Sequence, residues 1–125
     1  MEEVKTCSPE WLHDQLERTL PPVLVLDCRS HMDFREKGHI TTAINVSLPA
    51  LMLKRLKNGS LSIPTVLNSE QSRRTFCERW KSDWICLYDD DGPSYNSTTS
   101  ILQDRLLAEG CRAVLLSGES TRKKA

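Results

Sequence analysis

Short apolar runs rich in valine and leucine are the feature that most constrains the fold of this chain. Three of them are "VLVLD" at 23–27, "WICLYD" at 84–89 and "RAVLL" at 112–116, and "AINVSL" at 43–48 is a fourth candidate strand. A strand buried on both faces has continuous apolar sequence of this kind, and such strands occur mainly in parallel sheets. The runs therefore predict a parallel sheet at the centre of the protein.

Segments with helical start and stop signals separate these strands. Ser8 is a natural N-cap for a helix over about 9–19, and Gly38 closes a short helix in "MDFREKGH". Three more helices are predicted over about 49–57, in "EQSRRTFCERW" and in "ILQDRLLAEG". The alternation predicts a three-layer α/β fold, with a central, mainly parallel sheet and helices on both faces. In such folds the functional residues lie at the carboxyl ends of the strands.

Length and charge limit the classes of function. The chain has 125 residues, which suits one domain over 1–118 followed by a polar, basic tail at 119–125 that we expect to be disordered. Its 17 Lys and Arg balance 17 Asp and Glu, so nothing global indicates nucleic-acid binding. No apolar run reaches the roughly 20 residues of a membrane helix, and a signal peptide's features are missing from "MEEVKTC". We therefore expect no membrane association and a cytoplasmic or nuclear location.

Five cysteines are scattered along the chain, and no C-x-x-C pair with metal-ligand spacing occurs among them. They are Cys7, Cys28, Cys77, Cys86 and Cys111. An odd number of scattered cysteines indicates reduced, structural thiols rather than disulfides or a zinc site. We expect no metal and no cofactor.

Three segments carry a family resemblance. "VLVLDCRSHMDFREKGHITTAINV" is similar to the pattern of rhodanese-like domains, and "LPALMLKRLKNGSLSI" with "EGCRAVLLSG" resembles, more narrowly, the N-terminal domain of the MAP kinase phosphatases. The resemblance covers about 7–118. It implies a non-catalytic regulatory domain that binds a MAP kinase and is joined to a separate phosphatase domain. The H-C-x5-R motif of that catalytic domain does not occur in this sequence, and "SGESTRKKA" departs from the family's Gly-Gly continuation.

A rhodanese nucleophile would be a cysteine at the head of the loop after the third core strand. Aligning "WICLYD" with that strand places Asp89 there, and Asp90 and Asp91 follow it. A carboxylate cannot carry a persulfide, and three of them oppose the field that binds an anion. Without a partner motif, the three carboxylates do not indicate a metal site either. We therefore predict a degenerate loop and no catalytic residue.

The resemblance also assigns structural roles. In "DCR", Asp27 and Arg29 are expected to hold the strand-to-loop turn through hydrogen bonds. His39, in "GHI", is expected to be a packed structural histidine rather than a base.

The segment "LMLKRLKNGSLSIP" at 51–64 concentrates cations beside leucines. The simplest interpretation is an amphipathic helix whose basic face is solvated. The family resemblance favours a kinase-docking motif instead, in which Lys54, Arg55 and Lys57 meet an acidic patch while Leu61 and Ile63 fill an apolar groove. Ile63 precedes a proline and is expected to be extended, so that both aliphatic side chains face the same way.

Two alternatives remain open. One is a cysteine-dependent enzyme, either a rhodanese-type sulfurtransferase or an arsenate-reductase-like protein, using one of the five thiols. The other is a scaffold domain whose partner is not a kinase. Turnover of thiosulfate and cyanide would indicate the enzyme.

Overall fold

Five parallel strands form the centre of the computed structural model, which describes residues 6–18, 23–38, 40, 42–67, 69–89 and 98–116. The strands are β1 (Thr6–Cys7), β2 (Val23–Asp27), β3 (Ile44–Asn45), β4 (Trp84–Tyr88) and β5 (Arg112–Leu116). Their order in the sheet is β1-β5-β4-β2-β3, and every neighbouring pair is parallel. The prediction of a central parallel sheet is confirmed.

Helices connect these strands, as parallel pairing requires. They are α1 (Pro9–Leu16), α2 (His31–Glu36), α3 (Ala50–Asn58), α4 (Glu70–Arg79) and α5 (Thr98–Ala108), with a 3₁₀ turn at Pro64–Val66. The Ser8 and Ser69 hydroxyls cap α1 and α4 by accepting the backbone N–H groups of Trp11 and Ser72. No helix in the described ranges is long and apolar enough to cross a membrane.

Both faces of the sheet are covered, so the three-layer prediction is also confirmed. On one face, Leu12 of α1 packs with Val23, Val25, Cys86 and Val114. The other face is larger and packs against three helices. Its buried residues include Leu24, Leu26, Ile85, Leu87 and Leu115 from the strands, with Leu56 of α3, Phe76 of α4 and Leu102 and Leu106 of α5. The alternation of these residues along β2 explains why its run is apolar throughout.

Several boundaries differ from the sequence-based expectations. The strand predicted over 43–48 contains two residues, and the helix predicted to end near 19 ends at Leu16. β1 was not predicted, because two residues at a sheet edge carry no periodic pattern. The predicted tail at 119–125 lies outside the described residues.

Candidate functional site

α3 carries the cations of the segment at 51–64, and its apolar side packs against the core. Leu56 is fully buried, while Met52 and Leu53 are partly buried against the same apolar cluster. Gly59 ends the helix in the left-handed conformation, with φ of 86°, which favours glycine. The Gly59 N–H donates to the Leu56 carbonyl and the Ser60 N–H to the Arg55 carbonyl. Both the underside and the carboxyl end of α3 are therefore fixed.

The opposite side of α3 is exposed. Leu51, Lys54, Arg55 and Asn58 follow the spacing i, i+3, i+4 and i+7 and lie on one side of the helix, and Lys57 is exposed as well. α3 contains no acidic residue. Among the described residues, neither Lys54 nor Arg55 forms a side-chain ion pair or hydrogen bond. We refer to Leu51, Lys54, Arg55 and Asn58 as the basic face of α3.

Several other cations in the described part of the chain form ion pairs with nearby carboxylates. Arg74, Arg79 and Arg105 each form an ion pair with a carboxylate four positions away along the chain, which is Glu70, Asp83 or Glu109 respectively. Such pairing is the usual arrangement on a helix surface. The two neighbouring cations at 54 and 55 have no such partner in the described part of the chain. They create a local positive field on a chain of zero net charge.

The structure corrects the prediction for Ile63. Its side chain is only 3% exposed and belongs to the large apolar cluster, and its φ of −63° and ψ of −45° are helical rather than extended. It begins the 3₁₀ turn at Pro64–Val66, in which the Val66 N–H donates to the Ile63 carbonyl at 3.1 Å. Leu61 is partly buried against the same cluster. The two aliphatic residues do face the same way, but they face the core.

A hydrogen-bonded turn follows β2, as predicted for Asp27 and Arg29. The Asp27 carboxylate is completely buried, and its Oδ1 accepts the backbone N–H and the Nε of Arg29, both at 3.0 Å. Arg29 Nη2 donates to Oδ2 at 2.8 Å and to the Gly38 carbonyl at 2.6 Å. The hydrogen bonds expected between these two residues are present, and the guanidinium also connects the turn to the segment that follows α2.

Two further residues complete this turn. The Tyr88 hydroxyl donates to Asp27 Oδ2 at 2.6 Å, and Asn45 Nδ2 donates to the carbonyls of Asp27 and Arg29 at 3.0 Å each. The register places Tyr88 and Asn45 directly beside Asp27 on the two neighbouring strands. Neither was identified from the sequence. Each is a polar side chain at the carboxyl end of an apolar run. This feature could have identified them, because the carboxyl ends of parallel strands meet at one edge of the sheet.

This environment sets the ionisation of Asp27. Burial alone would raise its pKa, but hydrogen bonds from the Arg29 side chain, the Tyr88 hydroxyl and the Arg29 backbone outweigh burial and lower the pKa below its ordinary value. The pKa of Tyr88 is raised, first by burial and then by its hydrogen bond to this carboxylate. Asp27 is therefore a charged acceptor and Tyr88 a neutral donor at neutral pH.

A pH dependence of stability follows from the lowered pKa of Asp27. A carboxylate whose pKa is lower in the folded state stabilises the fold above its unfolded pKa of about 4, and this contribution is lost as pH falls through the folded pKa. We expect the difference in unfolding free energy between the wild type and Asp27→Asn to narrow between about pH 5 and pH 2. Urea denaturation at several pH values measures it. A difference that stays constant over this range would contradict the lowered pKa.

The loop predicted to be degenerate begins at Asp89, directly after β4. The Cys28 backbone N–H donates to the Tyr88 carbonyl at 2.8 Å, so Cys28 lies beside the head of this loop. Burial raises the pKa of the Cys28 thiol well above its ordinary value, and the Asp89 and Asp27 carboxylates raise it further. A thiol in this environment stays protonated and is a poor nucleophile. Asp90, Asp91 and His39 lie outside the described residues.

The other four cysteines are free thiols in different environments. Cys86 and Cys111 are buried. The hydrogen bond with Cys7, and then burial, raise the pKa of Cys86, and burial raises the pKa of Cys111. The Cys7 and Cys86 sulfur atoms lie 3.6 Å apart on the α1 side of the sheet, and both are free thiols. Cys77 is exposed on α4.

Comparison with known proteins agrees with this architecture. The model of the rhodanese-like domain matches residues 8–120, and the chain therefore belongs to the rhodanese-like domain family. Two solved structures share the fold. The BH2092 protein from Bacillus halodurans aligns with a TM-score of 0.60 at 20% identity, over 96% of this chain and 72% of that one. The human single-domain sulfurtransferase TSTD1 aligns with a TM-score of 0.57 at 14% identity, over 93% and 91%.

The relatives of higher identity are phosphatases. Human dual specificity protein phosphatase 6 is 36% identical over 114 residues, which cover 86% of this chain and 30% of that protein. Human dual specificity protein phosphatase 7 is 37% identical over 89% of this chain and 28% of its own length. Dual specificity protein phosphatase Mpk3 from Drosophila melanogaster is 34% identical over 91% and 31%. The chain thus spans only about 30% of the length of these relatives.

Proposed function

We propose that this chain is a non-catalytic regulatory domain that docks a MAP kinase through the basic face of α3. It belongs to a dual-specificity phosphatase that inactivates MAP kinases, and a separate phosphatase domain supplies the chemistry. The observation that carries the proposal is the pair of adjacent, exposed cations at Lys54 and Arg55. They lie on a helix without acidic residues, and their charges are not neutralised within the described part of the chain.

The partner's chemistry follows from this charge. A kinase surface with an acidic patch beside an apolar groove, as the family resemblance implies, complements two neighbouring cations. The guanidinium of Arg55 can bind a carboxylate in a bidentate manner, whereas Lys54 acts as a point charge. Exposed ion pairs contribute only about 0 to 1 kcal/mol each, so strong docking requires that water is excluded around these contacts in the complex.

The degenerate loop supports the non-catalytic part of the proposal. Asp89 directly follows β4, where the family resemblance implies that a rhodanese carries its nucleophile, and the neighbouring Cys28 thiol has a raised pKa. A thiosulfate-to-cyanide assay on the purified chain tests it directly. Turnover that disappears when one cysteine is replaced would overturn the proposal in favour of a sulfurtransferase.

Replacing Lys54 and Arg55 together with alanine should weaken MAP kinase binding at least tenfold and leave the fold intact. A tenfold loss corresponds to about 1.4 kcal/mol, and a hydrogen bond to a charged group contributes about 1.5 to 3 kcal/mol. Calorimetric titration against kinases of the extracellular-signal-regulated, p38 and Jun-kinase types measures the effect. Wild-type affinity should also fall with added salt, because the Debye length is about 8 Å at physiological ionic strength.

The chain offers a matched control in its second pair of adjacent arginines. Arg73 and Arg74 are exposed on α4, where Arg73 donates to the Leu67 carbonyl and Arg74 pairs with Glu70. Their double alanine variant and Asp89→Ala should both bind with nearly wild-type affinity. Unchanged affinity of the Lys54/Arg55 variant would mean that the basic face of α3 is only a solvated helix surface. An equal loss in the controls would show that the interface lies elsewhere.

A further inference from the structure

Leu51 is an exposed aliphatic side chain within the basic face of α3. It is 59% exposed, and the other exposed large hydrophobic residues in the described part of the chain are Met32 at 65% and Leu107 at 36%. Of these three, only Leu51 lies on α3. A leucine this exposed contributes little to the core, and beside two cations it is available to a partner.

We propose that the kinase binds α3 as an intact helix, with Leu51 as the apolar anchor and Lys54 and Arg55 as its charged border. This inference rests on the proposed function and specifies how the partner contacts the surface. Residues three and four positions apart on a helix have Cβ atoms about 5 to 6 Å apart, so all three side chains form one patch. The complementary surface is an apolar pocket bordered by carboxylates.

The alternative is a linear motif in which the chain unwinds and inserts Leu61 and Ile63. That binding mode would extract Ile63 from a site where it is 3% exposed, next to Val66 and Leu67, which are equally buried. It would also break the hydrogen bonds that the Gly59 and Ser60 N–H groups donate into the end of α3. The helical mode requires neither change, since Leu51 is already exposed.

The charge pattern also favours a helical contact. Leu51 precedes the cations by three and four residues, so an extended chain would place it about 10 Å from Lys54, with successive side chains on opposite sides. On a helix the same residues form one continuous surface. The juxtaposition of an exposed leucine with two cations that are not neutralised therefore exists only while α3 is folded.

The experiment is titration of the whole chain with a MAP kinase that binds it, using Leu51→Ser, Leu51→Met and the matched control Met32→Ser. We expect Leu51→Ser to weaken binding at least tenfold, Leu51→Met to restore most of the affinity and Met32→Ser to have no effect. All three should melt within a few degrees of the wild type, because both parent side chains are exposed. Hydrogen exchange of the Gly59 and Ser60 amides should stay slow in the complex.

The controls separate this inference from the proposed function. If Leu51→Ser binds within twofold of wild type while the Lys54/Arg55 variant loses binding, Leu51 is not an anchor and the helical binding mode is wrong. The proposed kinase docking would be unaffected by that result. Equal losses in Leu51→Ser and Met32→Ser, or faster exchange at Gly59 and Ser60 in the complex, would also overturn the helical mode. If the Lys54/Arg55 variant binds normally too, the proposed function fails as well.

Discussion

Replacing Asp27 with alanine is expected to lower the unfolding free energy by about 3 to 5 kcal/mol, because removing one partner of a buried ion pair leaves the other charge uncompensated. The Arg29 side chain is only 9% exposed, and its guanidinium would retain the Gly38 carbonyl as an acceptor but lose the carboxylate. The Tyr88 hydroxyl would lose its acceptor at the same time. Urea denaturation of both proteins measures the difference.

A second aspartate provides the control for this effect. Asp33 pairs with Lys37 on the surface of α2, at 3.5 Å, and the lysine side chain is 64% exposed. Surface pairs of this kind contribute about 0 to 1 kcal/mol, so Asp33→Ala should be nearly neutral. Similar losses in the two variants would mean that the turn after β2 does not stabilise the fold in the manner described.

Replacing Ile63 with alanine should cost about 2 to 5 kcal/mol of stability, as is typical when a buried aliphatic side chain is removed and a cavity remains. Ile63 belongs to the cluster that joins α3, α4 and α5 to the sheet, so little relaxation is available there. The folded variant should still bind the kinase with nearly wild-type affinity, since this side chain is not displayed to a partner. Thermal melts and calorimetric titration measure the two quantities.

The matched variant is Leu51→Ala, which also shortens an aliphatic side chain on the same segment. Because Leu51 is 59% exposed, its replacement should change stability by only about 0.5 kcal/mol. Replacing Leu51 should therefore weaken kinase binding and leave stability nearly unchanged, whereas replacing Ile63 should lower stability and leave binding nearly unchanged. A stable Ile63→Ala variant that binds weakly would contradict the buried position of this residue and restore the linear motif.

The sequence was sufficient to predict the sheet because its strands are buried on both faces. β2 and β5 have the predicted bounds, since their apolar runs have no competing helical period. The Asp27–Arg29 turn was expected from the family resemblance of "DCR", and its hydrogen bonds are local because the two residues lie two positions apart. The basic face of α3 followed from helical spacing once Gly59 had marked its end.

The remaining features depend on tertiary register and packing direction. Tyr88 and Asn45 lie near Asp27 only because two strands pair with β2 in one register, and no local pattern specifies it. The alternation of Leu61 and Ile63 indicates that their two side chains lie on the same side of the chain. It does not indicate whether that side faces the core or a partner. The structure decides that this side is the core.

The attachment of α3 to the sheet has a consequence for the thermodynamics of docking. Leu56 fixes the underside of the helix, and Gly59 and Ser60 fix its carboxyl end, so the backbone that carries the basic face is ordered before any partner arrives. A segment that folds on binding loses conformational entropy at that moment, and a preorganised one does not. The affinity of a surface built in this way therefore derives from a few side chains, and only their rotamers remain to be ordered on binding.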